Sequence, residues 1–393
     1  MRSMQYFDIK KNILISFSFI LVITYSFRLN QLYDASTHHA TSWWLFNYES
    51  GFSRRGLVGQ ILFYFSDFFH LNVLDILKVL QLFSFSFFIY LVSNYLNTRK
   101  ISNTFLLFYF CPGLFLAYFY DIFYIGRQEI YLFIYLFIYI SLCQKEKVSI
   151  IFSYFHPLIF SLLILTHESL VFYFSYFLTA EIIFNKKDKK SIIYLKFFVN
   201  FLFCLATILL ILHFQQFADL NIICEKIVSI GGPANTCNDM LASSNNMNIL
   251  ATVRSTLLRV QNEKYLINYF ILATLCFISI LFFFKNLPKN TFKTNQIYFL
   301  LCFNFIGSFP LFMLAYDWGR WIHINLMLIF LICIRFLPTK SEKSDGEQKF
   351  GKVFLFILFI FIYSTTWSMP VCCQPKFQFG IFEKMPKLYN LIW

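Results

Sequence analysis

Apolar residues along this chain gather in runs long enough to cross a bilayer. A helix rises about 1.5 Å per residue, so about 20 apolar residues span a hydrocarbon core of about 30 Å. Such runs fall at about 12–27, 77–96, 104–120, 130–143, 148–165, 170–185, 192–213, 265–284, 297–316, 322–336 and 353–367, eleven in all. The pattern predicts an all-α, polytopic transmembrane helical bundle in which residues 1–393 form a single integral membrane domain. Two long segments interrupt the runs, 28–76 and 214–264. The first holds a further apolar stretch, Leu57–Phe69, too short to span comfortably and expected to form a short interfacial or re-entrant helix beginning near two arginines.

Composition agrees with this reading. The chain is 58% hydrophobic, 22% aromatic and 13% charged, whereas soluble domains carry about 25% charged residues. A formal charge of +13 raises the question of a nucleic-acid partner, but the basic residues are spread between apolar runs and form no single basic face. Membrane lipids are the expected neighbours, and no nucleic acid is. The ten cysteines form no CxxC pair and no Cys/His metal spacing, so no metal and no cofactor is expected.

Charge also orients the bundle. Arg2, Lys10 and Lys11 precede the first run and no small-residue cleavage site follows, which predicts an uncleaved first helix with a cytoplasmic N-terminus. Threading the runs in order then places Arg99/Lys100, Lys145/Lys147, Lys186–Lys190, Lys285–Lys293 and Lys340–Lys352 on the same side as the N-terminus, as the positive-inside rule requires. The outer face receives residues 28–76, a first periplasmic loop with its interfacial helix, and 214–264, a large periplasmic loop. Cys224 and Cys237 lie in the second of these, where they either pair in an oxidising compartment or stay as thiols. Cys372 and Cys373 also fall outside, and adjacent cysteines rarely bridge each other.

Four outer-face clusters carry chemistry. Glu49, Arg54 and Arg55 lie at the start of the interfacial helix, where guanidinium donors join free backbone N–H groups to make an anion site; the alternative is that both arginines reach to lipid headgroups. Asp121, Arg127 and Glu129 share a short loop, either adding to that anion site and orienting a sugar hydroxyl or closing the loop with an internal ion pair. His167 and Glu168 occupy a very short turn between apolar runs, where ionisable groups are costly unless paired or facing a polar cavity. Either is a candidate general base, with a capped structural turn as the alternative. Asp317 and Arg320 are three apart and pair if helical, while Trp318 and Trp321 are expected in an interfacial aromatic belt.

With Glu49, Arg54, Arg55, Asp121, Arg127, Glu129, His167, Glu168, Asp317 and Arg320 all on one face, the chain resembles the multispanning bacterial envelope-glycan glycosyltransferases, particularly the O-antigen and capsule repeat-unit polymerases. The resemblance is one of size, span number and outer-face arginines and acids, and no family motif carries residue roles across. It implies a GT-C-like multi-pass protein of the bacterial inner (cytoplasmic) membrane, with polysaccharide assembly proteins as a partner class. It also implies transfer of a glycan from undecaprenyl diphosphate to a sugar hydroxyl in O-antigen or capsule polysaccharide biosynthesis. Arg54, Arg55, Arg127 and Arg320 would then hold the leaving diphosphate, with Asp121, Glu129 and Asp317 lining the substrate site and Glu49, Glu168 or His167 taking the proton.

A neighbouring reading uses a polyprenyl-phosphate sugar donor, with Asp34 or Glu49 as the acid of the first outer loop. A membrane transporter or lipid-linked glycan flippase would place charge deep within the spans, where Glu181 is the one acid. A third class is an assembly protein without catalysis.

Overall fold

The computed structural model describes residues 2–34, 39–143, 146–185, 189–214, 219–232, 249–287, 296, 299–339, 350–372, 378 and 380. Among them the architecture is all-helical, with no strand beyond two isolated bridges, Arg99 with Thr339 and Ser368 with Gln378. In chain order the helices are α1 (Arg2–Asp34), α2 (His39–Ser42), α3 (Gly56–Phe69), α4 (Val73–Asn97), α5 (Asn103–Tyr109), α6 (Ala117–Tyr120), α7 (Glu129–Cys143) and α8 (Glu146–Thr166). They continue with α9 (Ser175–Phe184), α10 (Lys190–Phe214), α11 (Leu220–Ser229), α12 (Ile249–Asn262), α13 (Tyr265–Lys285), α14 (Asn304–Leu314), α15 (Trp318–Cys333) and α16 (Phe350–Thr366).

Five of the helices are long and apolar enough to cross a membrane: Lys10–Tyr33, Val73–Asn97, Ser191–Phe214, Tyr265–Lys285 and Trp318–Phe336. Five shorter apolar helices accompany them: Gly56–Phe69, Glu129–Cys143, Phe155–Thr166, Phe299–Leu314 and Leu355–Thr366. Two runs read as continuous spans are broken instead. Over 104–120 the chain forms α5 and α6 with turns between them at Pro112 and Gly113. Proline lacks the N–H that helix propagation needs, and a Cβ on Gly113 would come within 2.6 Å of the Leu326 side chain, so the glycine lets the turn approach α15 closely. Over 170–185 a 3-10 helix, Glu168–Tyr173, precedes the ten-residue α9.

Helix α15 is the centre of the bundle, since every residue from Gly319 to Cys333 is buried. It packs against α7, α13 and α14, while α1, α10 and α13 turn bulky apolar side chains outward, among them Phe19, Leu195 and Phe270. Such faces suit acyl chains, which receive them without a desolvation cost.

A second, smaller core joins Trp44, Leu45 and Phe46 to Val58, Leu62 and Phe63 of α3, the start of α4 and Ile223 and Ile227 of α11. It fastens the loop that carries Arg54 and Arg55. The fit there depends on Gly59, because a Cβ at that position would lie 1.8 Å from the Phe46 carbonyl oxygen. The expected interfacial helix is thus α3, and its outer face is apolar, with Ile61, Tyr64, Phe65 and Phe68 exposed.

The two ends of the bundle differ chemically. At one end Lys10 Nζ donates to the Ile101 carbonyl at 3.5 Å and the Lys100 N–H donates to the Pro338 carbonyl at 2.9 Å. This gathers α1, the α4–α5 connection and the segment after α15 around basic residues. Arg320 stands at the opposite end of α15.

Candidate functional site

Nine of the ten candidate residues cluster at that opposite end, and seven of them are joined in one chain of charge. Arg55 is the N-cap residue of α3 and has a left-handed backbone, φ 62°. Few bulky side chains adopt that region. Two contacts hold it there. Its guanidinium forks onto Glu168, with Nε donating to Oε2 at 2.6 Å and Nη2 to Oε1, and it stacks 4.1 Å from the centroid of Trp43. Arg54 adds a longer contact, Nη1 to Glu168 Oε1 at 3.9 Å. Residues 113 apart in sequence therefore close the α3 loop onto the turn after α8.

The chain continues through His167. Arg320 Nη2 lies 3.0 Å from His167 Nε2, and a guanidinium can only donate. Nε2 is therefore an acceptor, and Nδ1 is met by the Ser169 backbone N–H at 3.3 Å and by Ser169 Oγ at 2.8 Å. Burial pushes the His167 imidazole well below its ordinary pKa, and the neighbouring Arg55 and Arg320 add to this against the opposing pull of Glu168 and Glu129. His167 is thus neutral and already engaged, a connector between two arginines and a poor base.

Arg320 completes the network. Its Nε donates to Glu129 Oε1 at 2.6 Å, Nη2 donates to the same oxygen, and Nη1 reaches Asp317 Oδ2 at 3.4 Å. The predicted i,i+3 pair is therefore present, though the stronger partner is Glu129. Arg127 sits beside this group and donates from Nε to the Phe123 carbonyl at 2.7 Å. Its pKa is lowered to about 10, by burial first and by Arg320 second, with Asp317, Glu129 and Asp121 opposing. It stays charged at neutral pH, and its surroundings leave that charge incompletely compensated. Four guanidiniums thus meet three carboxylates.

The remaining acids are placed differently from expectation. Asp121 spends both oxygens on backbone, accepting from Phe123 N–H and from Val371 N–H, each at 3.0 Å. It builds the loop and ties down the segment after α16. Glu49 is exposed and, among the described residues, accepts only from Gln60 Nε2, at 2.9 Å, with no contact to the charge network. Glu168 is held far below the usual carboxylate range: burial alone would raise it, but Arg55 first, with Arg54 adding, overcomes this. Trp318 donates its indole N–H to the Phe312 carbonyl at 2.9 Å, and Trp321 is 3% exposed, so Trp321 belongs to the core beneath Arg320 and not to an interfacial belt.

One oxygen in the network is unspoken for. Glu129 Oε2 is buried and has no hydrogen-bond partner among the described residues. Glu129 lines a cavity of about 20 Å³ with Arg127, Arg320, His323, Tyr118 and Tyr124. That volume holds one water and no sugar ring, so a larger ligand enters only if the walls move. His323 and the tyrosines were not singled out in the sequence; the available signal was that His323 follows Arg320 by three residues, on the same helical face.

The network makes the protein sensitive to acid. His167 and Glu168 both have folded pKa values below their ordinary 6.5 and 4.5. The unfolded chain therefore binds more protons as pH falls, and the stabilisation, complete above these values, is lost below them. Melting temperature measured against pH is expected to fall below about pH 6.5 and more steeply below about pH 4.5, with the lower step reduced in Glu168→Gln. No protein-family model, curated protein or solved structure matches this chain.

Proposed function

We propose that the chain is an enzyme of the bacterial inner membrane that transfers a glycan from a polyprenyl diphosphate to a sugar hydroxyl on the outer face. In this reading it has about eleven crossings, a cytoplasmic N-terminus and a GT-C-like arrangement. The observation that carries it is the convergence of Arg54, Arg55, Arg127 and Arg320, from three separate segments, in one site with three carboxylates. Nearly compensated in the absence of an anion, such a site gains from a diphosphate, which brings several acceptor oxygens to planar donor forks. The disulfide-bonded state of Cys372, next to the Val371 that Asp121 holds, is in keeping with an oxidising outer face.

The chemistry divides between the two kinds of group. The arginines stabilise charge as the glycosidic bond to the diphosphate breaks and its bonding electrons pass to the leaving oxygen. A carboxylate removes the proton of the incoming hydroxyl. We assign that role to Glu129, whose Oε2 is uncommitted, in place of Glu49, which stands outside the network, and Glu168, which is bound on both oxygens by Arg55. In cells that depend on this chain for polymer, Glu129→Gln is expected to abolish the glycan ladder on a gel while Glu49→Gln leaves it unchanged. The reverse pattern would move the proton acceptor to Glu49 and favour the single-sugar, polyprenyl-phosphate reading.

A second reading is transport, and one observation favours it. Glu181 is buried in α9, accepting from Tyr139 Oη at 2.7 Å and Asn185 Nδ2 at 2.8 Å, and shares a small cavity with His156 and Lys196. Buried acids within spans mark transport pathways. If Glu181→Gln stopped movement of a lipid-linked glycan across vesicles while Arg55→Ala did not, transport would take precedence.

A further inference from the structure

The opposite end of the bundle carries a second pair of arginines whose setting resembles neither the first network nor a solvated loop. Arg99 follows α4, and Arg335 lies in the 3-10 turn, Ile334–Phe336, just after α15. Fifteen residues separate Arg335 from Arg320, about 22 Å along a helix axis, so the two sites sit near opposite faces. Both guanidiniums stack on Tyr95 of α4, with Cζ 4.5 Å from the ring centroid for Arg99 and 4.2 Å for Arg335. Arg335 also lies 4.3 Å from the Phe137 ring.

What distinguishes the pair is its hydrogen bonding. Arg335 is only 8% exposed. Its Nη2 donates to the Phe137 carbonyl at 2.9 Å and to Ser141 Oγ, and Arg99 Nη1 donates to the Leu337 carbonyl at 3.2 Å. Neither arginine has a carboxylate partner among the described residues. Among the described residues the Nε donors of both are buried without an acceptor in hydrogen-bonding geometry, and the Tyr95 hydroxyl interacts with Arg335. Arg335 is a buried cation without a described counter-charge, which is costly, and the partly buried Arg99 on the same ring repels it. Every uncommitted N–H here is a donor with positive charge behind it, so the missing partner is an anion with several acceptor oxygens.

We propose that Arg99 and Arg335, with Tyr95 between them, form a binding site for a phosphate group at the lysine-rich face. The surrounding structure is built for it. The bridge of Arg99 with Thr339 and the Lys100 to Pro338 hydrogen bond lock the two loops together, and Lys10 reaches the adjacent Ile101 carbonyl. The phosphate belongs either to an anionic phospholipid headgroup of the adjacent leaflet or to a soluble phosphate, and the recognition chemistry is shared. This site is independent of the outer-face reading.

Full-length protein in detergent is mixed with dioleoyl phosphatidylglycerol or dioleoyl phosphatidylcholine, and retained lipid is counted by native mass spectrometry. Phosphatidylglycerol is expected to bind about tenfold or more tightly than phosphatidylcholine, and Arg99→Gln and the charge-conserving Arg335→Lys are each expected to remove most of that preference. Lys285→Gln, at the exposed end of α13, should leave it intact. Inorganic phosphate that displaces the lipid at millimolar concentration assigns the site to soluble phosphate; retention of the lipid assigns it to the headgroup. Equal retention of the two lipids, together with no thermal stabilisation by inorganic phosphate, would overturn the proposal, as would a loss in Lys285→Gln equal to that in Arg99→Gln.

Discussion

Replacing Arg320 with alanine is expected to destabilise the protein by about 3–5 kcal/mol, the range seen when one partner of a buried ion pair is removed. The side chain is 9% exposed and Glu129, its main partner, is 3% exposed. Without the guanidinium, Glu129 is a buried carboxylate with neither oxygen bonded to a donor side chain, and His167 Nε2 loses its donor as well. The origin of the loss can be separated by a double replacement. Arg320→Met with Glu129→Leu removes both charges and should be more stable than Arg320→Met alone, although both are inactive. Thermal melts of the purified variants measure this directly. A single variant as stable as the wild type would mean that the pair is solvated and that the buried network does not exist in the native protein.

Arg55→Lys should have the largest effect on activity relative to its effect on folding. Lysine keeps the charge but loses the planar fork that contacts both Glu168 oxygens and lies over Trp43. Removal of one positioned donor to a developing anion costs about 10²–10³ in rate, and a loss of this size in glycan transfer is expected at near-normal expression. The left-handed backbone of residue 55 gives an independent check. Arg55→Gly relieves the conformational strain but leaves Glu168 without its main partner, so it should be less active than Arg55→Lys. A lysine variant with full activity would reduce Arg55 to a loop fastener.

That ionisable groups stand near the ends of apolar runs was legible in the sequence, because charge interrupts hydropathy there. The i,i+3 placement of Asp317 and Arg320 was legible for a similar reason: helical spacing fixes it locally. Pairings across the fold were not. Nothing in the spacing of residues 55 and 168, or 129 and 320, singles them out, since burial decides which carboxylate each arginine meets. Asp121 was read as a ligand for charge and turned out to hold backbone N–H groups, because a carboxylate at a turn satisfies nearby donors as readily as it pairs with a cation. The run over 104–120 was read as one helix because hydropathy does not register a break; Pro112 and Gly113 do, and they bend the chain against α15.

The same reasoning accounts for Arg99 and Arg335. By sequence they are ordinary basic residues at the ends of runs, and only the structure reveals that both are packed on Tyr95 with unsatisfied donors. Positive charge thus serves at both ends of α15, balanced by carboxylates at one and unbalanced by any described acid at the other.

The central claim is that the arginine network at the start of α15 binds a diphosphate carried on a lipid. Its most direct test is the affinity of the purified protein in nanodiscs for a polyprenyl diphosphate, compared with the matching polyprenyl alcohol, in the wild type and in Arg54→Gln/Arg127→Gln. The account predicts binding of the diphosphate well above that of the alcohol and a drop of about tenfold or more in the variant. Equal affinity for diphosphate and alcohol, or an unchanged affinity in the variant, would contradict it.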